Sequence, residues 1–148
     1  MPIPALNEDG FLPPGVHDCT LDEVRSRFGV FQSTDRRPKL FATLLAFVAE
    51  ARASGIVVAL VINGSFTSGK PDPNDIDLVL VLRTEHHYVA DLPPSQYNVI
   101  SKRRVRRRHG IDVLLARQGT EEEEDAVGFY QQVRGRSTQR KGVLRVRL

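Results

Sequence analysis

The run at residues 56–62, IVVALVI, constrains the fold of this chain more than any other segment. It is apolar, largely β-branched and free of polar alternation, the mark of a strand covered on both faces. Such a strand belongs in the middle of a sheet with helices above and below it. Residues 76–82, IDLVLVL, form a second strand, and residues 111–116, IDVLLA, a third. Between and around them the pattern turns helical. Thr20 with Glu23 three positions on makes a capping box for a short helix to about residue 28, stopped by Gly29. Residues 37–54 give the strongest helix, with Leu40, Leu44, Phe47, Val48 and Ala51 on one stripe and Gly55 where a C-cap belongs. Ser95 caps a further helix that carries Tyr97, Val99, Ile100 and a basic run up to Gly110. Residues 121–133 open with acids in the first turn, where the helix dipole favours them, and residues 142–148 read as a final edge strand. The order predicts an α/β (α+β) fold, a small mixed sheet of four to five strands flanked by helices. At 148 residues it forms one domain, entered through an extended Pro- and Gly-rich arm over about residues 1–19.

Composition narrows the setting. Apolar residues make up 41% and charged ones 26%, ordinary values that argue against disorder. The longest apolar stretches fall far short of the roughly 18 residues a membrane span needs, so no membrane partner is expected. The opening MPIPALNEDG lacks the basic and apolar regions of a secretory signal, and the expectation is a cytoplasmic protein. A lone Cys19 excludes an internal disulfide and any multi-cysteine zinc site. The net charge of +3 is unevenly spread: KRRVRRR at 102–108 and Arg134, Arg136, Arg140, Lys141, Arg145 and Arg147 near the C-terminus flank a solid acidic run at 121–125. Either basic cluster can grip phosphates; the bland readings are a solvated helix face and an ordinary strand edge.

The chemistry concentrates at residues 61–82, VINGSFTSGKPDPNDIDLVLVL. Residues at i and i+2 of a strand face the same way, so Asp75 and Asp77 aim at one spot, roughly 6–7 Å apart at the backbone. Two carboxylates pointed together suit a hard divalent cation such as Mg²⁺, which takes oxygen ligands from carboxylates, water and phosphates. Asp77, inside so apolar a strand, demands a partner. Asp112 is likewise an isolated carboxylate in an apolar run; it belongs at the strand's beginning, exposed, or beside something positive. If its strand lies beside 76–82, Asp112 joins the other two, and three acids around one space repel unless metal neutralises them.

Gly64-Ser65, a gap of nine residues, Asp75-Ile76-Asp77, and then Asp112 between hydrophobic residues resembles the signature of the nucleotidyltransferase superfamily typified by DNA polymerase beta. The short chain resembles in particular the minimal nucleotidyltransferases of prokaryotes, some of which act in toxin-antitoxin and phage-defence loci. The likeness covers about residues 61–115. It implies that Gly64 and Ser65 receive the triphosphate of a nucleoside triphosphate such as ATP, and that Asp75 and Asp77 hold two Mg²⁺ ions. It further implies that Asp112 is a third metal ligand and the base for an acceptor hydroxyl. The acceptor is a protein or an RNA, tRNA included, or a small molecule such as an aminoglycoside; the products are a nucleotidylated acceptor and pyrophosphate. One departure matters: Gly69, Pro71 and Pro73 shorten or replace the phosphate-binding helix, and Lys70 is the candidate that compensates at the β or γ phosphate.

Two other classes remain open on the residues alone. One is a catalytically idle nucleotidyltransferase fold acting as a binding module or antitoxin-like partner. The other is a nucleic-acid-binding domain built on KRRVRRR, with the aspartates incidental. His86 and His87 read as an exposed loop pair, and Tyr97 and Tyr130 as core or edge aromatics.

Overall fold

The computed structural model describes residues 3–86 and 92–148. Its main sheet has five strands in the order β1 (Val16–Asp18), β7 (Val143–Arg147), β2 (Val57–Asn63), β3 (Asp77–Leu82) and β4 (Asp112–Arg117). β1 runs parallel to β7, β7 and β3 run antiparallel to β2, and β4 runs parallel to β3. The fold is thus α+β with a mixed sheet. The helices are α1 (Leu21–Phe28), α2 (Arg36–Ser54), α3 (Pro94–Ile100), α4 (Lys102–His109) and α5 (Glu121–Gln131). A separate hairpin of β5 (Gln132–Val133) and β6 (Arg136–Arg140) follows α5 directly. No helix among the described residues is long and apolar enough to cross a membrane.

The central strands are buried on both faces, as their lack of alternation requires. Leu60 and Ile62 of β2 and Leu78, Leu80 and Leu82 of β3 face the side where α1 to α4 supply Val24, Phe28, Leu44, Phe47, Val99 and Val105. Their neighbours Ala59, Val61, Val79 and Val81 face the other side, where Ala126 and Tyr130 of α5 close the layer. Larger side chains fill the four-helix side and smaller ones let α5 approach closely. Full burial of one such side chain is worth about 1.5–3 kcal/mol, so this double-sided packing fixes which face each strand residue takes.

Local signals act as the residues dictate. Thr20 Oγ1 accepts from Glu23 N at 3.1 Å and Glu23 Oε1 from Thr20 N at 3.0 Å, a complete capping box. Gly55 ends α2 in the left-handed region at φ 71°.

Three expectations need correction. The C-terminal strand is not an edge: β7 lies between β1 and β2, because Val16 to Asp18 of the N-terminal arm pair with Val143 to Arg145 outside it. The arm is therefore partly a strand, and it buries Leu12 in the core. The helix expected from Ser95 to Gly110 is two helices. Ser101, at φ −76° and ψ 106°, breaks it and caps α4 by accepting from Arg104 N at 3.3 Å. Of the two histidines read as exposed, His86 is buried and His87 lies outside the described residues.

Candidate active site

The register brings the acids together. Asp77 pairs with Asp112 across β3 and β4, and with Asn63 across β2 and β3. Strand alternation puts Asn63, Asp77 and Asp112 on the side of the sheet that α5 covers, in phase with Val61, Val79 and Ala116. Asp75 precedes β3 and lines the same cavity as Asp77, two residues on. This cavity, about 1260 Å³, is lined by Asn63, Gly64, Asp75 and Asp77, by Phe129 and Tyr130 at the end of α5, and by the β5–β6 hairpin with Lys141.

Each carboxylate has its own environment. Asp75 Oδ1 accepts from Ser65 N at 2.8 Å and from Ser65 Oγ at 2.6 Å. Burial works to raise the Asp75 pKa, but these hydrogen bonds, helped by Lys141 and Lys70, outweigh it and hold the carboxyl below its ordinary value. The Asp77 side chain makes no hydrogen bond or ion pair among the described residues. Burial, then the charges of Asp75 and Asp112, push its pKa up to about 6. Asp112 is exposed at the start of its strand and pairs with Arg106 Nη1 at 2.6 Å, satisfying all three conditions its sequence position set. Because that carboxylate is drawn toward Arg106, it does not line the cavity. Among the described residues no three Asp, Glu, His or Cys side chains gather as a metal-ligand set.

The Gly-Ser turn is tightly built. Gly64 has φ 99° and ψ −177°, a region that is essentially glycine-only. A Cβ there would lie 2.9 Å from Asp75 O and 3.2 Å from Asp75 Oδ1. The helix expected to follow Gly64-Ser65 is reduced to one 3₁₀ turn, Ser65–Thr67, ahead of Gly69, Pro71 and Pro73. Lys70 is exposed on the cavity rim.

Several site residues escaped the sequence reading. Arg37, 2% exposed, donates to the carbonyls of Phe28 (3.3 Å), Phe66 (2.7 Å), Ser68 (2.8 Å) and Lys70 (2.8 Å), so one buried guanidinium shapes the loop. Arg36 holds the next stretch, donating to Pro73 O at 2.9 Å and Asn74 O at 3.2 Å. Asn63, 4% exposed, carries a buried Oδ1 without a hydrogen-bond partner among the described residues. Lys141 lines the same cavity as Asp77 and Asp75, and burial lowers its pKa against the pull of their charges. Of these, Asn63 stands one residue before Gly64 and Lys141 belongs to the C-terminal basic cluster, whereas Arg36 and Arg37 had no signal in the chain.

Half of the first basic cluster is committed within the fold. Arg104 donates to Asn98 at 2.7 Å and stacks 4.7 Å from the Tyr97 ring centroid, Arg106 pairs with Asp112, and Arg108 pairs with Glu50. Lys102, Arg103 and Arg107 have no such partner among the described residues.

A family of unknown function, DUF6932, matches residues 4–147 of the chain. The chain belongs to this family. DUF6932 carries no stated activity, and the chain matches no curated protein and no solved structure. For this DUF6932 chain, function must be argued from the site.

Proposed function

We propose that this protein is a Mg²⁺-dependent nucleotidyltransferase that moves a nucleoside monophosphate from a nucleoside triphosphate to an acceptor hydroxyl. The observation that carries the reading is Asp77. It is a half-buried carboxylate with no side-chain partner among the described residues, in register with Asp112 and Asn63, sharing a cavity with Asp75 and made costly to ionise by its surroundings. The donor set fits a hard cation: Asp75 and Asp77 supply carboxylate oxygens, and the orphaned Asn63 Oδ1 adds a neutral one. Mg²⁺ bound there supplies charge neutralisation for phosphate oxygens and a lowered pKa for a hydroxyl.

The chain's own residues do the rest. Ser65 holds the Asp75 carboxylate by two hydrogen bonds and keeps it ionised, so one oxygen stays fixed and the other is left for the ligand. The acceptor oxygen attacks the α-phosphorus, the bond from that phosphorus to the α–β bridging oxygen breaks, and pyrophosphate leaves. Asp112 takes the acceptor proton once its exposed pair with Arg106 opens. The acceptor is a hydroxyl on a protein or an RNA, and a role in a toxin-antitoxin or phage-defence system suits so small a transferase.

A second reading, a catalytically silent binding module of the same architecture, is favoured by one observation. Ser65 spends both its donors on Asp75, and only a single 3₁₀ turn stands where a phosphate-binding helix is expected. Incubation with Mg²⁺ and each of the four α-labelled nucleoside triphosphates, with cellular RNA and protein as acceptors, separates the two. Label enters an acceptor with the wild type and not with Asp77→Ala if the transferase reading holds. Absence of label from every mixture supports the silent module, and equal labelling by Asp77→Ala removes the aspartates from the mechanism.

A further inference from the structure

In the turn that the resemblance assigns to the triphosphate, the backbone donors from Ser65 to Lys70 are all used within the described residues. Every amide from Ser65 to Lys70 is already donated inside the protein: Ser65 N to Asp75 Oδ1, Phe66 N to Asp75 O, Thr67 N to Gly64 O, Ser68 N to Ser65 O, Gly69 N to Gly10 O and Lys70 N to Ser68 Oγ. The Ser65 hydroxyl is likewise spent on Asp75 and accepts from Asn74 N at 2.8 Å. An anion placed at this turn meets no converging N–H groups, which is what a phosphate-binding nest requires.

The hairpin side of the cavity is different. β5 and β6 are paired through Gln132 with Arg140 and Val133 with Arg136, around a turn where Gly135 has φ 77°. Lys141 N donates to Gln131 O at 2.9 Å and fixes the base of the hairpin against α5. Arg134, Arg140 and Lys141 all line the cavity, and none has an ion pair among the described residues. Arg136 is committed, donating to Gln139 at 2.7 Å and pairing with Asp9 at 3.4 Å. The other acid on this side is Glu8, so the wall keeps an excess of positive charge. Lys141, half-buried beside the Phe11 ring, lines the same cavity as Asp75 and Asp77 and feels their charge.

We propose that Arg134, Arg140 and Lys141 form the anion subsite of this cavity and hold the polyphosphate chain of a nucleotide, the task that the resemblance implies for Gly64, Ser65 and Lys70. The proposal rests on the nucleotidyl-transfer reading for its choice of ligand. Planar arginine forks suit phosphate oxygens in pairs, and a half-buried lysine supplies a point charge where solvent screening is weak. The carboxylate wall and the cationic wall then grip opposite ends of one ligand. The α-phosphorus lies toward Asp77 and the leaving pyrophosphate lies toward the hairpin.

The test titrates inorganic tripolyphosphate, and separately ATP, into the full chain by calorimetry, with and without Mg²⁺. The combined Arg134→Gln and Arg140→Gln variant binds tripolyphosphate at least about tenfold more weakly than wild type. The combined Arg103→Gln and Arg107→Gln variant on α4 stays within about twofold, since those side chains lie off the cavity. Arg134→Lys with Arg140→Lys keeps the charge and recovers part of the affinity. Failure of the wild type to bind tripolyphosphate, an unchanged hairpin variant, or an equal loss in the α4 variant overturns the proposal. The two readings fail separately. Hairpin-dependent binding without any transfer keeps the subsite and sinks the transferase. Transfer with an unchanged KM for the triphosphate in the hairpin variant keeps the transferase and sinks the subsite.

Discussion

Gly64→Ala tests how the acidic cluster is positioned. Gly64 sits at φ 99° and ψ −177°, and forcing a residue with a Cβ into this region costs about 1–3 kcal/mol. The new Cβ would fall 2.9 Å from Asp75 O and 3.2 Å from Asp77 N, both backbone atoms, so no side-chain rotation relieves it. The segment entering β3 must retreat, and with it the Asp75 carboxylate that receives two hydrogen bonds from Ser65. Hydrogen bonds to a charged group are worth about 1.5–3 kcal/mol, and stretching rather than breaking them forfeits part of that. The sum is a loss of about 2–4 kcal/mol, a large share of the roughly 5–15 kcal/mol that holds a domain together. Urea denaturation measures it as a lowered midpoint with unchanged slope, and the proposed nucleotidyl transfer is expected to fall in parallel because Asp75 has moved. A loss below about 1 kcal/mol would refute the close approach of Gly64 to Asp75 on which the site geometry depends.

Arg37→Met leaves the carbonyls of Phe28, Phe66, Ser68 and Lys70 without their shared donor and lowers stability by at least about 3 kcal/mol in the same assay, whereas an unaffected midpoint would deny that this guanidinium shapes the loop. Gly142→Ala puts a Cβ 2.1 Å from Pro13 O, so the N-terminal arm must lift off; limited proteolysis detects this as faster cleavage before Val16, and unchanged cleavage contradicts the packing. Asp77 has a pKa raised from 3.8 to about 6, so in metal-free protein the stability its proton confers is complete below pH 3.8 and lost as pH climbs through about 6. Thermal melts should show that fall in the wild type and a shallower one in Asp77→Asn, and identical profiles would remove the burial and charge repulsion assigned to Asp77.

Much of this arrangement is legible in the chain because it depends on local signals. The three apolar runs became β2, β3 and β4, and the Thr20 to Glu23 capping box formed as written. Pairing of β3 with β4 put Asp112 beside Asp77. What was not legible depends on distant partners. Nothing in Val16-His17-Asp18 marks a strand; it is one because β7 offers it an edge, and β7 is internal for the same reason. Arg37 sits among surface-like residues in the sequence, and its role exists only where four carbonyls from residues 28–70 converge. The hairpin cations read as a strand edge because the cavity that gives them a task is closed by Asp75 and Asp77, more than fifty residues earlier.

The central claim is nucleotidyl transfer, and the position of the label decides it. The wild-type protein is incubated with Mg²⁺ and a nucleoside triphosphate labelled at either the α or the γ phosphorus, with cellular RNA and protein present. Nucleotidyl transfer puts the α label on an acceptor and leaves the γ label entirely in pyrophosphate. The γ label on the acceptor would show phosphoryl transfer instead, and no label from either position would contradict the reading of Asp75, Asp77 and Asp112 as a working active site.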